Sequence, residues 1–299
     1  MSTESKSNSG HIYSTGISGS GWVRQMWAFV DRNLREMRRS LAVLVWSMGF
    51  PAGFYLLTIN VFMPTDQIPA DTLPTVKATV AVGYGMFGAT VVCLNVFGQH
   101  LVTDLEQHRY AQFRSLPIRS SADLVGRLVA GELFGLAAFG FVLGVSVLTG
   151  AEYTLRGLGA VPVLLVALLL SNLVWLVLAL GIATLVREAR YANIISISVA
   201  MMGYFLTGYN GTSPGMFSGD PTLLNLLPNT LAARIAVYQL LDIGDWKQAG
   251  LAPPAMPSDP ASLALLAGYG VVVLVVGFVV TNRVLYQRRW LGNEGGSGE

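Results

Sequence analysis

Six runs of about 20 predominantly apolar residues, near 41–63, 75–99, 124–149, 159–185, 192–209 and 262–284, constrain this chain more than any motif it carries. A helix needs about 20 such residues to cross the hydrocarbon core of a bilayer. Only helices and closed barrels satisfy their backbone hydrogen bonds there. Barrel strands would alternate in polarity over about ten residues, whereas a run such as Val161 to Leu170 is apolar on every side. The expected fold class is therefore all-α integral membrane, with six transmembrane helices. Only 12% of the residues are charged, against about 25% in an average soluble domain.

Basic residues set the orientation, because cytoplasmic loops collect Lys and Arg. With the N-terminus inside and an even number of crossings, only Lys77, Arg156, Arg234 and Lys247 of the 19 basic residues fall outside. Both termini are then cytoplasmic. The net charge of +2 is too small to argue for a nucleic-acid partner. The first 20 residues lack the apolar core of a signal peptide, so residues 1–21 read as a disordered cytoplasmic tail. Residues 291–299 read as a second, flexible one. The transmembrane domain expected between them covers 22–290.

Residues 22–39 place Trp22, Val23, Met26, Trp27, Val30, Leu34 and Met37 at helical spacing, with Arg24, Arg32, Arg35, Arg38 and Arg39 between them. That pattern predicts an amphipathic helix in contact with membrane lipid. Its plainer alternative is a cytoplasmic extension of the first span. Outside the membrane, the apolar stretch Leu223 to Leu241 is broken by Pro228 and Asn229 and carries Arg234. It reads as two short re-entrant helices, which lipid permits only where protein covers the turn.

The segment from Thr103 to Arg127, TDLEQHRYAQFRSLPIRSSADLVGR, is too polar for lipid and too short for a domain. Leu105, Arg109, Phe113 and Leu116 share one helical face, and Pro117 ends the helix. Tyr110, Phe113 and Leu116 are expected to plug a groove in a cytoplasmic partner, with Glu106, Arg109, Arg114 and Arg119 fixing the orientation. A solvated loop with no partner is the bland reading.

Catalytic signatures are missing. Gly83, Gly85 and Gly88 match G-x-G-x-x-G but lie inside an apolar run and follow no strand, so close helix packing is expected. No phosphate-binding loop with its lysine is present, and the lysines are Lys6, Lys77 and Lys247 alone. His11, His100 and His108 do not form a metal-binding pattern, and the lone Cys93 excludes an internal disulfide. Glu132 is the acidic residue deepest within a span. Intramembrane carboxylates are functional candidates, so it is a possible gating or transport residue. A pairing with a basic residue at the inner interface is the competing reading. An ion-coupled secondary transporter built on Glu132, or a membrane scaffold, are the functional alternatives.

On these residues the chain resembles the permease subunit of ABC-2 type ABC transporters. Members show an acidic residue, a proline eleven positions later in an L-P-[LI]-[SR] context, and a G-[KR] opening the third span. Here these are Glu106, Leu116-Pro117-Ile118-Arg119 and Gly126-Arg127, with the outer Leu223 to Leu241 segment as a second match. The chain departs from the pattern at His108-Arg109, where many members have Gly-Thr, and at Ala111, where a second acid is usual. The resemblance implies a permease in the cell membrane, paired with a second permease chain as homo- or heterodimer and joined to two copies of a separate ATP-binding subunit. ATP and magnesium would sit on that partner, with no cofactor or metal here. Residues 22–39, with Trp22, Trp27 and Arg35, would be the connecting helix. The 104–118 helix, with Glu106, Arg109, Tyr110, Phe113, Arg114, Leu116 and Pro117, would be the coupling helix, and the outer helices a gate. An exporter of amphipathic or lipid-like molecules is the implied function.

Overall fold

The computed structural model describes residues 19–186, 188–206, 219–244, 246 and 255–286. The expected tails fall outside these, apart from residues 19–21, which already belong to the first helix. Every regular element among the described residues is helical. Helix α1 runs Gly19–Arg39. Five helices are long and apolar enough to cross a membrane: α2 Leu41–Phe62, α3 Leu73–Glu106, α5 Ser120–Leu148, α6 Ala160–Leu185 and α9 Pro260–Tyr286. Between them lie α4 Arg109–Ser115, α7 Ala189–Leu206 and α8 Pro228–Leu240. Helix α7 coincides with the fifth apolar run, but Arg190 and Asn193 in its first turns make it more polar than the other five.

Helix α3 is the axis of the structure. Its most apolar window is 94% buried, whereas that of α9 is 17% buried and faces outward. Small residues let neighbours approach α3 closely. A Cβ on Gly85 would lie 2.9 Å from the Phe139 ring of α5, and one on Gly88 would lie 3.2 Å from the Ser47 carbonyl of α2. The glycines of this run therefore serve helix packing. Gly131 and Gly135 of α5 do the same toward α6, against Leu176 and Asn172. Gly140 and Gly144 repeat the spacing, yet nothing among the described residues lies within 4 Å of a Cβ built there.

At 34 residues and about 1.5 Å per residue, α3 is about 50 Å long, well beyond a hydrocarbon core of about 30 Å. Its second apolar run stops near residue 99, but the helix continues to Glu106 and carries Asp104 out of the apolar layer. The ends of α3, α6 and α9 converge on one side of the bundle, where they line a common cleft with α4. On the opposite side, Asp220 caps a 3₁₀ turn, Pro221–Leu226, by accepting from the Thr222 N–H at 2.9 Å. Pro228 then opens α8 at a position where its missing N–H costs nothing. With 13 residues, α8 is about 20 Å long and too short to cross the bilayer. It packs on α6, α3 and α9. Thr154 and Arg156 donate their N–H groups to the Leu240 and Gln239 carbonyls, and the Arg156 guanidinium lies 4.0 Å over the Tyr238 ring.

Helix α1 crosses the start of α5 at Gly126, where a Cβ would stand 2.6 Å from both the Met26 carbonyl and the Phe29 Cβ. Gly126→Val is therefore expected to force the helices apart and lower stability by about 1–3 kcal/mol. Gly140→Val, facing open space, should change it by less than about 0.5 kcal/mol. Unfolding midpoints of the purified variants in detergent measure both, and equal midpoints would refute the close α1–α5 contact.

Candidate coupling site

Asp104, 1% exposed, sits where α1, α3, α4 and α5 meet. Its Oδ1 accepts from Arg32 Nη2 of α1 at 2.6 Å and from Arg109 Nη1 of α4 at 2.6 Å, and its Oδ2 accepts from Arg127 Nη2 of α5 at 2.5 Å. Arg127, 3% exposed, turns its Nε to Asp123 Oδ1 at 2.7 Å. Asp123 also accepts from the Tyr286 hydroxyl at the end of α9, at 3.1 Å. Glu36 completes the group, 3.2 Å from Arg32 Nε and 3.5 Å from Arg109. Three guanidinium groups thus meet three carboxylates from separate elements, and both buried acids are satisfied by bonds to charged donors.

The hairpin after α3 is broken where an uninterrupted helix was expected. His108 has φ 53°, in the left-handed region, and separates the end of α3 from α4. Helix α4 ends at Ser115, and Leu116 is extended, as the residue before a proline must be. Gln25 of α1 then holds both sides of the proline. Its Nε2 donates to the Pro117 carbonyl at 2.9 Å, and its Oε1 accepts from the Arg119 N–H at 3.2 Å.

This break turns Tyr110 inward and leaves Arg109, Phe113 and Arg114 half-buried, while Glu106, Leu116, Pro117 and Arg119 stay exposed. Tyr110 is buried, with ring centroids 5.5 Å from Phe113 and 5.7 Å from Tyr286, and Arg127 lies 5.5 Å over its ring. Burial pushes the Tyr110 hydroxyl well above the usual tyrosine range, with Arg127 pulling the other way, so it stays protonated. Phe113 meets Phe29 edge to face at 5.6 Å, and Arg32 lies 5.6 Å over it. The Tyr110 ring is closed off from a partner's groove, whereas Phe113 is half-buried. Burying them against α1 and α9 removes apolar surface that a projecting ring would leave in water. Arg109 is spent on Asp104, Arg114 donates to the Leu285 carbonyl at 3.4 Å, and Glu106 accepts from the Ala189 N–H at 2.8 Å, capping α7. The exposed surface of the hairpin consists of Glu106, Gln107, His108, Ala111, Gln112, Ser115, Leu116, Pro117 and Arg119, with Leu116 53% exposed.

Along α1, Trp22 and Trp27 are five residues apart, about 140° around a helix, and they separate accordingly. Trp22 donates its Nε1–H to Ser121 at 3.0 Å, while Trp27 is 54% exposed beside Val23. Arg35 pairs with Asp31 on the exposed side. Glu132 lies apart from the charge cluster, on α5 facing Asn172 of α6, and its Oε2 is buried with no hydrogen-bond partner among the described residues. A small pocket of about 60 Å³ opens between α2, α3 and α7, lined by Trp46, Phe50, Phe87, Val91, Asn95 and Met201. Asp104 and Gln25 escaped the sequence reading.

A bundle of this kind, with apolar helices long enough to cross a bilayer and a charged cluster at one end, is a multi-pass membrane protein. Residues 24–227 match the family model for the ABC-2 type transporter, and the chain belongs to that family. Its members are membrane transport components, not themselves catalytic, that work with an ATP-binding subunit. No curated protein matches the chain.

Removing the charge of Asp104 leaves three guanidinium groups facing an amide. Asp104→Asn is expected to cost about 3–5 kcal/mol, as for a broken buried pair. Asp31→Asn, which removes only the exposed partner of Arg35, should cost no more than about 1 kcal/mol. Comparing the two unfolding midpoints checks the assignment, and similar midpoints would refute it.

Proposed function

We propose that this chain is the permease subunit of an ATP-binding cassette exporter, with six membrane crossings and both termini in the cytoplasm. A second permease chain and two copies of an ATP-binding subunit complete the transporter, and ATP and magnesium bind to those subunits. One observation carries the reading. Asp104, at the end of the most buried helix, is held by arginines from α1, α4 and α5, so a push on the hairpin reaches the axis of the bundle through charge-assisted bonds. The exposed edge around Leu116 and Pro117 is the surface offered to the ATPase. Tyr110, Phe113, Arg109 and Arg114 act behind it by stiffening the hairpin, and Glu106 fixes it to α7. Helix α1, with Trp27 outward, rests on the membrane surface as the connecting helix.

The pocket between α2, α3 and α7 supports an amphipathic or lipid-like substrate. Its aromatic walls suit an apolar body, and the Asn95 carboxamide oxygen, buried without a partner among the described residues, is a single polar contact point. The 3₁₀ turn and α8 form the outer gate and enter the bilayer without crossing it. Helix α8 is covered by α6 and α9, and the Tyr269 hydroxyl of α9 donates to the Leu226 carbonyl at the end of the turn, in line with the condition under which lipid tolerates such a segment.

A second reading is favoured by one observation, the unpartnered Glu132 oxygen facing Asn172. In it, Glu132 carries an ion through a gradient-driven carrier. Copurification from the native membrane separates the two. A stoichiometric ATP-binding subunit is expected, and Leu116→Asp should reduce the ATPase rate of the complex to that of the isolated subunit while the yield of folded permease is unchanged. Glu132→Gln should leave ATP-driven transport intact. Transport that ignores ATP and disappears with Glu132→Gln would replace the exporter reading with the carrier.

A further inference from the structure

The open cleft at the converging ends of α3, α6 and α9 has a volume of about 470 Å³. Its walls are apolar, including Leu105, Val186 and Val284, while its rim carries Glu106 and Arg114. Tyr110 also lines it, and the Tyr110 hydroxyl is buried with no hydrogen-bond partner among the described residues. Arg114 spends one of its five donors on Leu285. Glu106 spends Oε1 on the Ala189 N–H. One cation and one anion therefore stand on the same rim with hydrogen-bonding capacity left.

We infer that this cleft binds the head of a phospholipid bearing a primary amine, of the phosphoethanolamine class. The phosphate takes donors from Arg114, the ammonium donates to the free oxygen of Glu106, and the first methylenes of the acyl chains lie on Leu105, Val186 and Val284. Position supports this occupant, because headgroups lie at the level where apolar helices end. Charge supports it too. An anionic head without an amine would face Glu106 uncompensated, and a quaternary amine has no N–H to give a carboxylate. The inference concerns a resident lipid and does not depend on the exporter reading.

The test offers the purified full-length protein in mild detergent an equimolar mixture of phosphatidylethanolamine, phosphatidylcholine and phosphatidylglycerol with matched chains, and measures retained lipid by native mass spectrometry. Phosphatidylethanolamine should be retained about fivefold or more over phosphatidylcholine, the scale of one hydrogen bond to a charged group. Glu106→Gln, which can still accept from Ala189, should bring the two lipids level, and Arg114→Gln should reduce retention of both. Equal retention by the unmodified protein, or a preference that survives both substitutions, would overturn the inference. So would lipid binding seen only in a chain ending after Tyr286, because the chain's own residues 287–299 would then be the occupant.

Discussion

A carboxylate removed from water must be given charged donors or abandon its charge, and Asp104 meets that demand by drawing in three arginines from three elements. Each of those arginines is in turn constrained. Arg127 is almost fully buried and divides its guanidinium between Asp104 and Asp123, so it cannot release one without leaving charge unpaired in a poorly solvated place. Arg32 and Arg109 are half-exposed and share Glu36. The cluster is balanced as a whole but not in pairs, and this is why it joins α1, α4 and α5 to the end of α3 and does not merely decorate them. Such networks are weak evidence for stability in themselves. Their consequence here is register, because the elements move together or not at all.

The rest of the molecule divides around this point according to burial. Helix α3 is enclosed by its neighbours along nearly its whole apolar length, and its glycines admit the Ser47 carbonyl of α2 and the Phe139 and Leu143 side chains of α5. Close-packed interiors transmit displacement because they lack slack. Helix α9 contributes little to that core, yet its last residues return to it through Tyr286, whose hydroxyl reaches Asp123. The far side of the bundle relies on a different device, the Arg156 guanidinium stacked on Tyr238 at the end of α8.

Much of this was legible in the sequence because hydrophobic length is a one-dimensional signal. The five long helices coincide with apolar runs, and the Gly126-Arg127 pair resolves into a contact for α1 and an anchor for Asp104. What escaped reading depends on polar residues whose partners are distant in the chain. Asp104 sits in the polar string Thr103-Asp-Leu-Glu-Gln, where nothing local separates a buried hub from a solvated acid. The helix through residues 100–106 is amphipathic and not apolar, so a hydropathy reading ends it too soon. The turn at His108 defeats periodicity altogether. One residue at positive φ rotates everything after it, and a face drawn through Leu105, Arg109 and Phe113 on an uninterrupted helix joins side chains that have different surroundings.

Helix α1 meets α2 through a single residue. Ser40 is extended, with φ −94° and ψ 105°, and its hydroxyl already caps the next helix by accepting from the Val43 N–H at 3.3 Å. A one-residue joint with its side chain committed leaves no slack, so α1 is a lever whose fulcrum is the start of the first span. Over 21 residues its arm is about 32 Å long, and a tilt of about 5° displaces the far end by about 3 Å. The same tilt, read in reverse, converts a movement of a few ångströms at Trp22 into a small rotation of α2 about Ser40, and α2 forms one wall of the aromatic pocket.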